Sequence, residues 1–566
     1  MTFTDEQLSI FQFVKEEKGH GIINAVAGAG KTTTIMHCAS FVEDRSKILF
    51  CAFNTSIASE ISKRFHAMGF HEVVVKTIHA LGRQILLDNN STGKLIHLEE
   101  NKYWHLLKTA AVQRKLQPHF NRILKLHRLD AAGLDERKEF AAKKLIDRVH
   151  LRLIDICQKF RATLTREELD DFERMVIHFS IFDNTEIARK HFSSEVKEYF
   201  SCLQVLLAEG NGLAARSMTI DYTDMLYLPY KWKLQPDRKY DFLFIDECQD
   251  LSAAQFAIAT KYGRKDGRIL AVGDPVQSIY GFTGADIDSF NRIRDFTRAT
   301  QLSLTTCFRC PAGVVELARE IRTDMTGTKE DKGIVQTIQF DDVVSMARPG
   351  DLIISRLRAP IVLLVFSFID KGIRVRIHED EVKEIISEIR MIFKQEELNL
   401  AISAQPGGFA GLKKEVLRRW NWIIEKNAER ISNSIERSLY VKTEKKYLER
   451  KMEFLHKKYE LWKDDCASII DMLKRIKAFI SARGNAVRLS TIHRAKGLEN
   501  DRVFILNYDE LPYTRLQQKD WEKAQELNLK YVAITRALKE LYLIESKKIE
   551  QVEEQESLFD NLPFGK

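Results

Sequence analysis

"GIINAVAGAGKTTTIMHC", residues 21–38, is the stretch on which the fold turns. "GIINAV" is apolar and β-rich, so it reads as a buried strand. "KTTTIMHC" and its continuation place Ile35, Cys38 and Phe41 at helical spacing. Between them runs A-x-x-G-x-G-K-T, from Ala25 to Thr32. A strand, a loop of small residues and a helix start are the context of a phosphate-binding loop. Gly28 and Gly30, with Ala29 between them, let the backbone approach a phosphate and aim N–H groups at it. Lys31 would neutralise the β/γ charge of ATP, and Thr32 would coordinate Mg²⁺. Ala25 stands where the usual pattern has its first glycine.

Hydrolysis also needs a carboxylate at the end of a second strand. "YDFLFIDECQD" (Tyr240–Asp250) supplies it. Asp246 and Glu247 follow a mostly apolar strand, at the end where α/β sheets bind ligands. Asp246 would hold Mg²⁺, and Glu247 would polarise the attacking water. The competing reading is a solvent-facing acidic turn. Loop and acidic pair together predict nucleotide hydrolysis.

Composition sets the outer bounds. The 566 residues suffice for two to four domains, and an apolar share of 44% is ordinary for a globular chain. A net charge of +8 permits a nucleic-acid partner without requiring one. Residues 101–160 carry 14 Lys/Arg against 6 Asp/Glu. Solvated helix faces and a nucleic-acid-facing surface both fit that surplus. "MTFTDEQ" has no apolar core of a secretory signal. The apolar run "APIVLLVFSFI" at 359–369 is too short to span a bilayer. The eight cysteines are scattered. The C-x-x-C of Cys307 and Cys310 has no second pair, so neither a zinc site nor a redox motif is expected. Reduced thiols and a cytoplasmic location are.

The remaining motifs carry a resemblance. "IDECQD", "VGDPVQSIYGFTGA", "TIHRAKGLEND" and "LKYVAITRA" resemble motifs II, III, V and VI of superfamily 1 helicases of the UvrD/Rep/PcrA type. "AFNTSIASE" and "LKYVAITRA" are closest in wording to the F-box DNA helicase branch, though no F-box region is seen. The matches run in family order from Gln7 to Arg536. The resemblance implies that Gln7 reads adenine, that Phe308 stacks on the base and that Glu499 contacts the ribose. It implies that Gln277 links the γ-phosphate to the DNA site, and that Arg309 and Arg536 grip the γ-phosphate from different domains. Guanidinium groups stabilise the charge that spreads over the phosphate oxygens, so hydrolysis would depend on cleft closure. For the strand, it implies stacking by Phe53, Tyr280 and Phe282, and backbone contacts from Asn54, Thr77, His79, Thr491 and His493. Ordinary core packing is the alternative for Phe53 and Phe282. Two departures stand out. Thr33 occupies a place where relatives often have Arg, so a phosphate contact is missing or supplied elsewhere. Thr283 replaces another Arg, which leaves hydrolysis intact and puts one DNA contact in question.

The implied fold is α/β: two RecA-like parallel-sheet P-loop domains, each with an inserted helical subdomain. Strand-like runs at 21–27, 47–53, 72–78, 241–246 and 268–273 fit one sheet. A second set is expected to begin at "QLSLTTCF" and to continue with "GDLIISR", "GIRVRI", "RVFILN" and "ELYLIES". The expected layout is a first domain at 1–95 and 210–308 with a basic helical insertion at 96–209. The second domain takes 309–378 and 485–550, with a helical insertion at 379–484. "KTEKKYLERKMEFLHKKYELWKDD" reads as one long amphipathic helix, with a short coiled coil as the other reading. The acidic tail 551–566 contains Gln555-Glu556-Ser557-Leu558-Phe559, which resembles a peptide that docks on bacterial sliding clamps; a functionless tail, or one that binds another partner, is the competing reading.

These readings converge on an ATP-dependent 3′→5′ helicase acting on single-stranded DNA and DNA junctions, in replication, repair or recombination. A regulatory nucleotide-binding subunit of a defence or repair complex fits the same motifs. So does a protein-stripping translocase with little unwinding.

Overall fold

The computed structural model describes residues 3–16, 18–90, 93–127, 129, 136–182, 186–281, 288–428, 434–481, 484–514 and 518–546. Phe282, Thr283 and the Gln555–Phe559 segment lie outside the described residues. The chain forms two compact units, Met1–Thr306 and Cys307–Lys566.

The first unit is built on a six-stranded sheet. Its strands are β1 (Gly21–Ala25), β2 (Ile48–Ala52), β3 (Val74–Thr77), β4 (Tyr240–Ile245), β5 (Gly263–Gly273) and β6 (Thr300–Leu304). The spatial order is β3-β2-β4-β5-β1-β6, and every pairing is parallel. Strand β2, "ILFCA", is buried along its whole length, as expected of a strand covered on both faces. Parallel pairing brings the C-terminal ends of β1 and β4 to one edge of the sheet, and the phosphate loop and Asp246 emerge there.

Strand β6 corrects the expectation from sequence. The run beginning at Gln301 does not open a second sheet, because Thr300–Leu304 pairs residue for residue with Gly21–Ala25. It is an edge strand with only Leu304 fully buried, and nothing in its local pattern says which sheet it joins.

After β3 the chain enters a helical block of Lys102–Lys108, Ala110–Leu126, Glu136–Thr163, Leu169–His178 and Glu186–Ser217. The block has its own core, including Leu116, Phe120, Ile156, Phe172 and Leu203. A two-residue parallel pair, His97–Leu98 with Thr219–Ile220, closes its base. A buried ion cluster lies beside that base. Lys102 Nζ donates to Asp224 Oδ2 at 2.6 Å, and neither side chain is exposed. Arg161 donates to both Asp221 oxygens, at 2.8 and 2.9 Å, and to Asp224 Oδ1 at 2.8 Å. Two cations thus meet two carboxylates. Burying any one of them without its partners would cost several kcal/mol, about 3–5. Asp221 and Asp224 belong to "DYTDML", the segment that leads back towards the sheet.

The second unit carries β7 (Ile334–Ile338), β8 (Leu352–Ser355), β9 (Val375–Arg376), β10 (Val487–Thr491), β11 (Asn500–Leu506) and β12 (Ala537–Ile544). The order is β7-β12-β11-β8-β10-β9, again all parallel. Strand β7 has no counterpart in the sequence reading; four of its five residues are exposed, so it shows no buried-strand signature. Helices Glu379–Met391, Gln395–Asn399, Gly408–Ala428, Ser434–Trp462 and Ile469–Ile480 lie between β9 and β10. The apolar run at 359–369 falls within helix Arg358–Asp370, where Leu364, Val365 and Phe368 are buried in the core shared with the sheet. No described helix is long and apolar enough to cross a membrane.

Candidate active site and DNA-facing residues

The phosphate loop has the conformation its glycines predict. Gly28 and Gly30 sit at φ 71° and 75°, in the left-handed region that side chains rarely adopt. Gly30 caps helix Lys31–Cys38, whose first N–H groups have no partner within the helix and so favour an anion. Ala29 N–H closes the turn on Val26 O at 3.3 Å. Ala25 is the last rung of β1, fully buried and paired with Leu304, so it contributes backbone position rather than a side chain. Lys31 is 9% exposed.

Thr32 Oγ1 donates to Asp246 Oδ2 at 2.7 Å, which joins the loop to the end of β4. Glu247 N–H donates to the other oxygen, Oδ1, at 2.9 Å. Glu247 itself sits at φ 51°, unusual for a residue with a side chain. Burial, and then the charge of Glu247, push the Asp246 carboxyl up to about 6, against the opposing pull of Thr32 and Lys31. A hydroxyl and a buried carboxylate in contact fit a divalent cation that keeps most of its water, as Mg²⁺ does. Among the described residues no group of three His, Cys, Asp or Glu forms a fuller metal cage. Metal binding needs the carboxylate ionised. The raised value therefore predicts that the Mg²⁺ concentration for half-maximal ATPase climbs as pH falls through about 6, approaching tenfold per pH unit. Mg²⁺ titrations between pH 5 and 8 measure this, and a pH-independent requirement contradicts it.

The structure adds two residues that sequence reading missed. Gln249 Nε2 donates to Glu247 Oε2 at 2.6 Å, and its Oε1 accepts from Asp274 N–H at 3.1 Å. Asp274 Oδ2 in turn accepts from Gln277 Nε2 at 2.7 Å. Gln249 and Asp274 are fully buried. A continuous chain of polar contacts thus runs from Thr32 through Asp246, Glu247, Gln249 and Asp274 to Gln277. Gly273 makes room for it: a Cβ there would lie 2.4 Å from Gln249 Oε1. The sequence signal was present, since Gln249 lies within "IDECQD" and Asp274 within "VGDPVQS", but neither residue type announces a connecting role.

At the other side of the loop, Gln7 is buried. Its Oε1 accepts from Thr4 N–H at 3.1 Å, and its Nε2 donates to Thr34 Oγ1 at 3.0 Å. Thr33 accepts a hydrogen bond from Arg64 Nη2 at 2.9 Å.

The second unit gathers its own set. Arg309 forms an ion pair with Glu499. Arg536 is 2% exposed; its Nε donates to Val532 O at 2.8 Å and its Nη1 to Leu498 O at 3.2 Å. Phe308, beside Arg309, is exposed. The thiol of Cys310 donates to Thr535 O at 3.8 Å, and Cys307 Sγ accepts from Cys310 N–H at 3.4 Å. All eight cysteines are buried and unbridged.

Of the strand-facing candidates, Phe53 and Tyr280 lie nearly parallel, 17° apart, with ring centroids 6.2 Å apart. Asn54 and Thr77 cap helices, accepting from Ile57 N–H at 2.9 Å and Ala80 N–H at 3.2 Å. His79 meets Tyr222 edge-on at 6.4 Å, and burial lowers its pKa. Thr491 Oγ1 donates to Glu381 at 3.3 Å. His493 is driven down to about 3 by burial and then by Arg356, so it stays neutral at physiological pH.

Residues 4–297, just over half of the chain, match the model of the UvrD/REP helicase N-terminal domain. The chain belongs to the UvrD/REP helicase family. Residues 486–544 match the UvrD-like helicase C-terminal domain. The chain is similar to ATP-dependent DNA helicase PcrA of Bacillus subtilis, 21% identical over 94% of this chain and 82% of that protein. It is similar to PcrA of Leuconostoc citreum, 25% identical over 54% of this chain and 38% of that one. F-box DNA helicase protein 1 of Schizosaccharomyces pombe is 27% identical over 54% of this chain and 34% of its own length. The chain thus spans less than half the length of the last two. Membership places this UvrD/REP chain among ATP-driven DNA helicases.

Proposed function

We propose that this UvrD/REP-family chain moves 3′→5′ along single-stranded DNA, using ATP turnover to unwind duplexes at junctions. One observation carries the coupling. The polar relay that begins at Thr32 and Asp246 ends at Gln277, three residues before Tyr280, whose ring faces Phe53. The group that senses the γ-phosphate and the group that stacks on a base therefore share one short segment. The 6.2 Å between ring centroids approaches the roughly 7 Å that two ring faces need to hold a planar base between them. Base stacking of that kind ignores sequence, and a phosphate-tracking strand path makes binding salt-sensitive.

In this reading Lys31, the loop N–H groups and Gln7 bind ATP. Asp246 and Thr32 hold Mg²⁺, which neutralises phosphate charge when bound. Glu247 orients the attacking water and accepts its proton. Arg309 and Arg536, carried on the second unit, close onto the γ-phosphate and leave their present partners, Glu499 and the carbonyls of Val532 and Leu498. Glu499 is then released to the ribose, and Phe308 to the base. Asn54, Thr77, His79, Thr491 and His493 line the strand path. The two helical blocks act as subdomains inserted into the two motor domains, and the tail at 555–559 engages a clamp. The acting sites are replication, repair or recombination intermediates.

The test is ATPase rate with and without oligo-dT, followed by unwinding of duplexes with 3′ or 5′ overhangs. Stimulation of tenfold or more and unwinding from the 3′ overhang alone are expected. Hydrolysis indifferent to single strands defeats the motor reading, and activity on the 5′ overhang reverses the polarity. A protein-displacement assay that succeeds where unwinding fails favours the stripping translocase.

A further inference from the structure

The residue after the Mg²⁺-facing Thr32 is Thr33, whose hydroxyl carries no charge. The structure places a cation there from elsewhere. Arg64 Nη2 donates to Thr33 Oγ1 at 2.9 Å. Arg64 sits on helix Thr55–Ala67, directly after β2, and that helix is well anchored. Its Ile61 and Phe65 are buried, and Phe65 packs edge-on against Phe50 of β2 at 5.7 Å. The nearest carboxylate paired with Arg64 is Glu60, one turn back, with its oxygen 3.9 Å from Nη1 and largely exposed, a contact that neutralises little. The charge is felt along the phosphate-loop helix: after burial, Arg64 is the cause that lowers the His37 pKa.

The neighbour of Thr33 points to the base end of the nucleotide. Thr34 accepts from Gln7, the residue read as recognising the base edge. The first turn of the loop helix therefore holds two planar groups on successive residues, the Gln7 amide on Thr34 and the Arg64 guanidinium on Thr33. A guanidinium stacks on aromatic faces as well as pairing with anions, and a single donated bond to a hydroxyl leaves its plane available. We propose that Arg64 is an adenine-binding residue, its guanidinium tethered by Thr33 and stacked on the base whose edge Gln7 reads. The inference rests on reading Lys31 and Thr32 as the phosphate site of ATP.

Stacking on the base is made equally before and during phosphoryl transfer, so its loss appears in KM. Arg64→Ala is expected to raise KM for ATP about 5- to 30-fold with kcat within twofold. Arg64→Lys keeps the charge and loses the plane, so its KM should rise nearly as far. Thr33→Val leaves Arg64 in place but untethered and should raise KM two- to fivefold. Inorganic tripolyphosphate, which has no base, should inhibit wild type and all three variants with one Ki. An unchanged KM in Arg64→Ala overturns the proposal, as does a fall in kcat at constant KM. So does full rescue by Arg64→Lys together with weakened tripolyphosphate inhibition in Arg64→Ala, which would make Arg64 a phosphate contact. Lys31→Ala separates the two levels. If it hydrolyses ATP normally, the phosphate-site reading itself fails. If it is inactive while Arg64→Ala matches wild type, only the adenine assignment fails.

Discussion

Glu247→Gln should slow ATP hydrolysis by about 10²–10⁴-fold and leave nucleotide affinity nearly intact. The substitution keeps side-chain size and removes only the ability to accept a proton. Its neighbours stay in place: Asp246 Oδ1 still accepts the backbone N–H of residue 247, and Thr32 still donates to Asp246. Lys31 and the loop N–H groups, the proposed phosphate contacts, are untouched. The contact from Gln249 Nε2 to Glu247 Oε2 becomes a bond to a neutral oxygen, and the relay towards Gln277 weakens without breaking. Single-turnover hydrolysis and binding of a fluorescent ATP analogue separate the two effects. Hydrolysis within tenfold of wild type would remove Glu247 from the role of base.

Arg536→Ala should lower kcat by about 10³–10⁵-fold, the range observed when a transition-state arginine is lost. Here the structure demands care, because Arg536 is also a structural residue. Its guanidinium binds the Val532 carbonyl in the last turn of helix Asp520–Ile534, and the Leu498 carbonyl just before β11. Truncation leaves the Leu498 carbonyl short of a donor, while Val532 O keeps the Thr535 hydroxyl at 3.2 Å, at about 1–3 kcal/mol of stability. A simple loss of folding would mimic a catalytic loss. The discriminating measurement is binding of ADP with aluminium fluoride, which resembles the transferring phosphoryl group, beside binding of ADP alone. Affinity for the first should collapse while affinity for the second holds. Equal weakening of both would reduce Arg536 to a helix-end brace.

The parts of this molecule written locally were legible in advance. "AVAGAGKT" places two left-handed glycines and a helix start within eight residues, and "FLFIDE" places a buried strand directly before its carboxylates. Such signals act over a few residues, the range over which backbone geometry and side-chain periodicity operate. The features that escaped reading are set by contacts across long separations. Lys102 finds Asp224 and Arg161 finds Asp221 only after five helices have packed, and no spacing rule connects them. Arg64 sits in "SKRF" on an amphipathic helix, where a basic residue looks like any solvated one until the sheet carries it to Thr33. Thr300–Leu304 is locally an ordinary strand, and its sheet is chosen by β1, nearly three hundred residues earlier.

The rung at which His97–Leu98 runs beside Thr219–Ile220 makes the first helical block a cassette. Its two ends part and rejoin at one point on the motor, so a lineage can lengthen, trim or exchange it without disturbing strand order. What cannot be exchanged freely is the charge balance at the seam. Asp221 and Asp224 stay with the motor, so any graft must arrive with cations of its own in the places of Lys102 and Arg161.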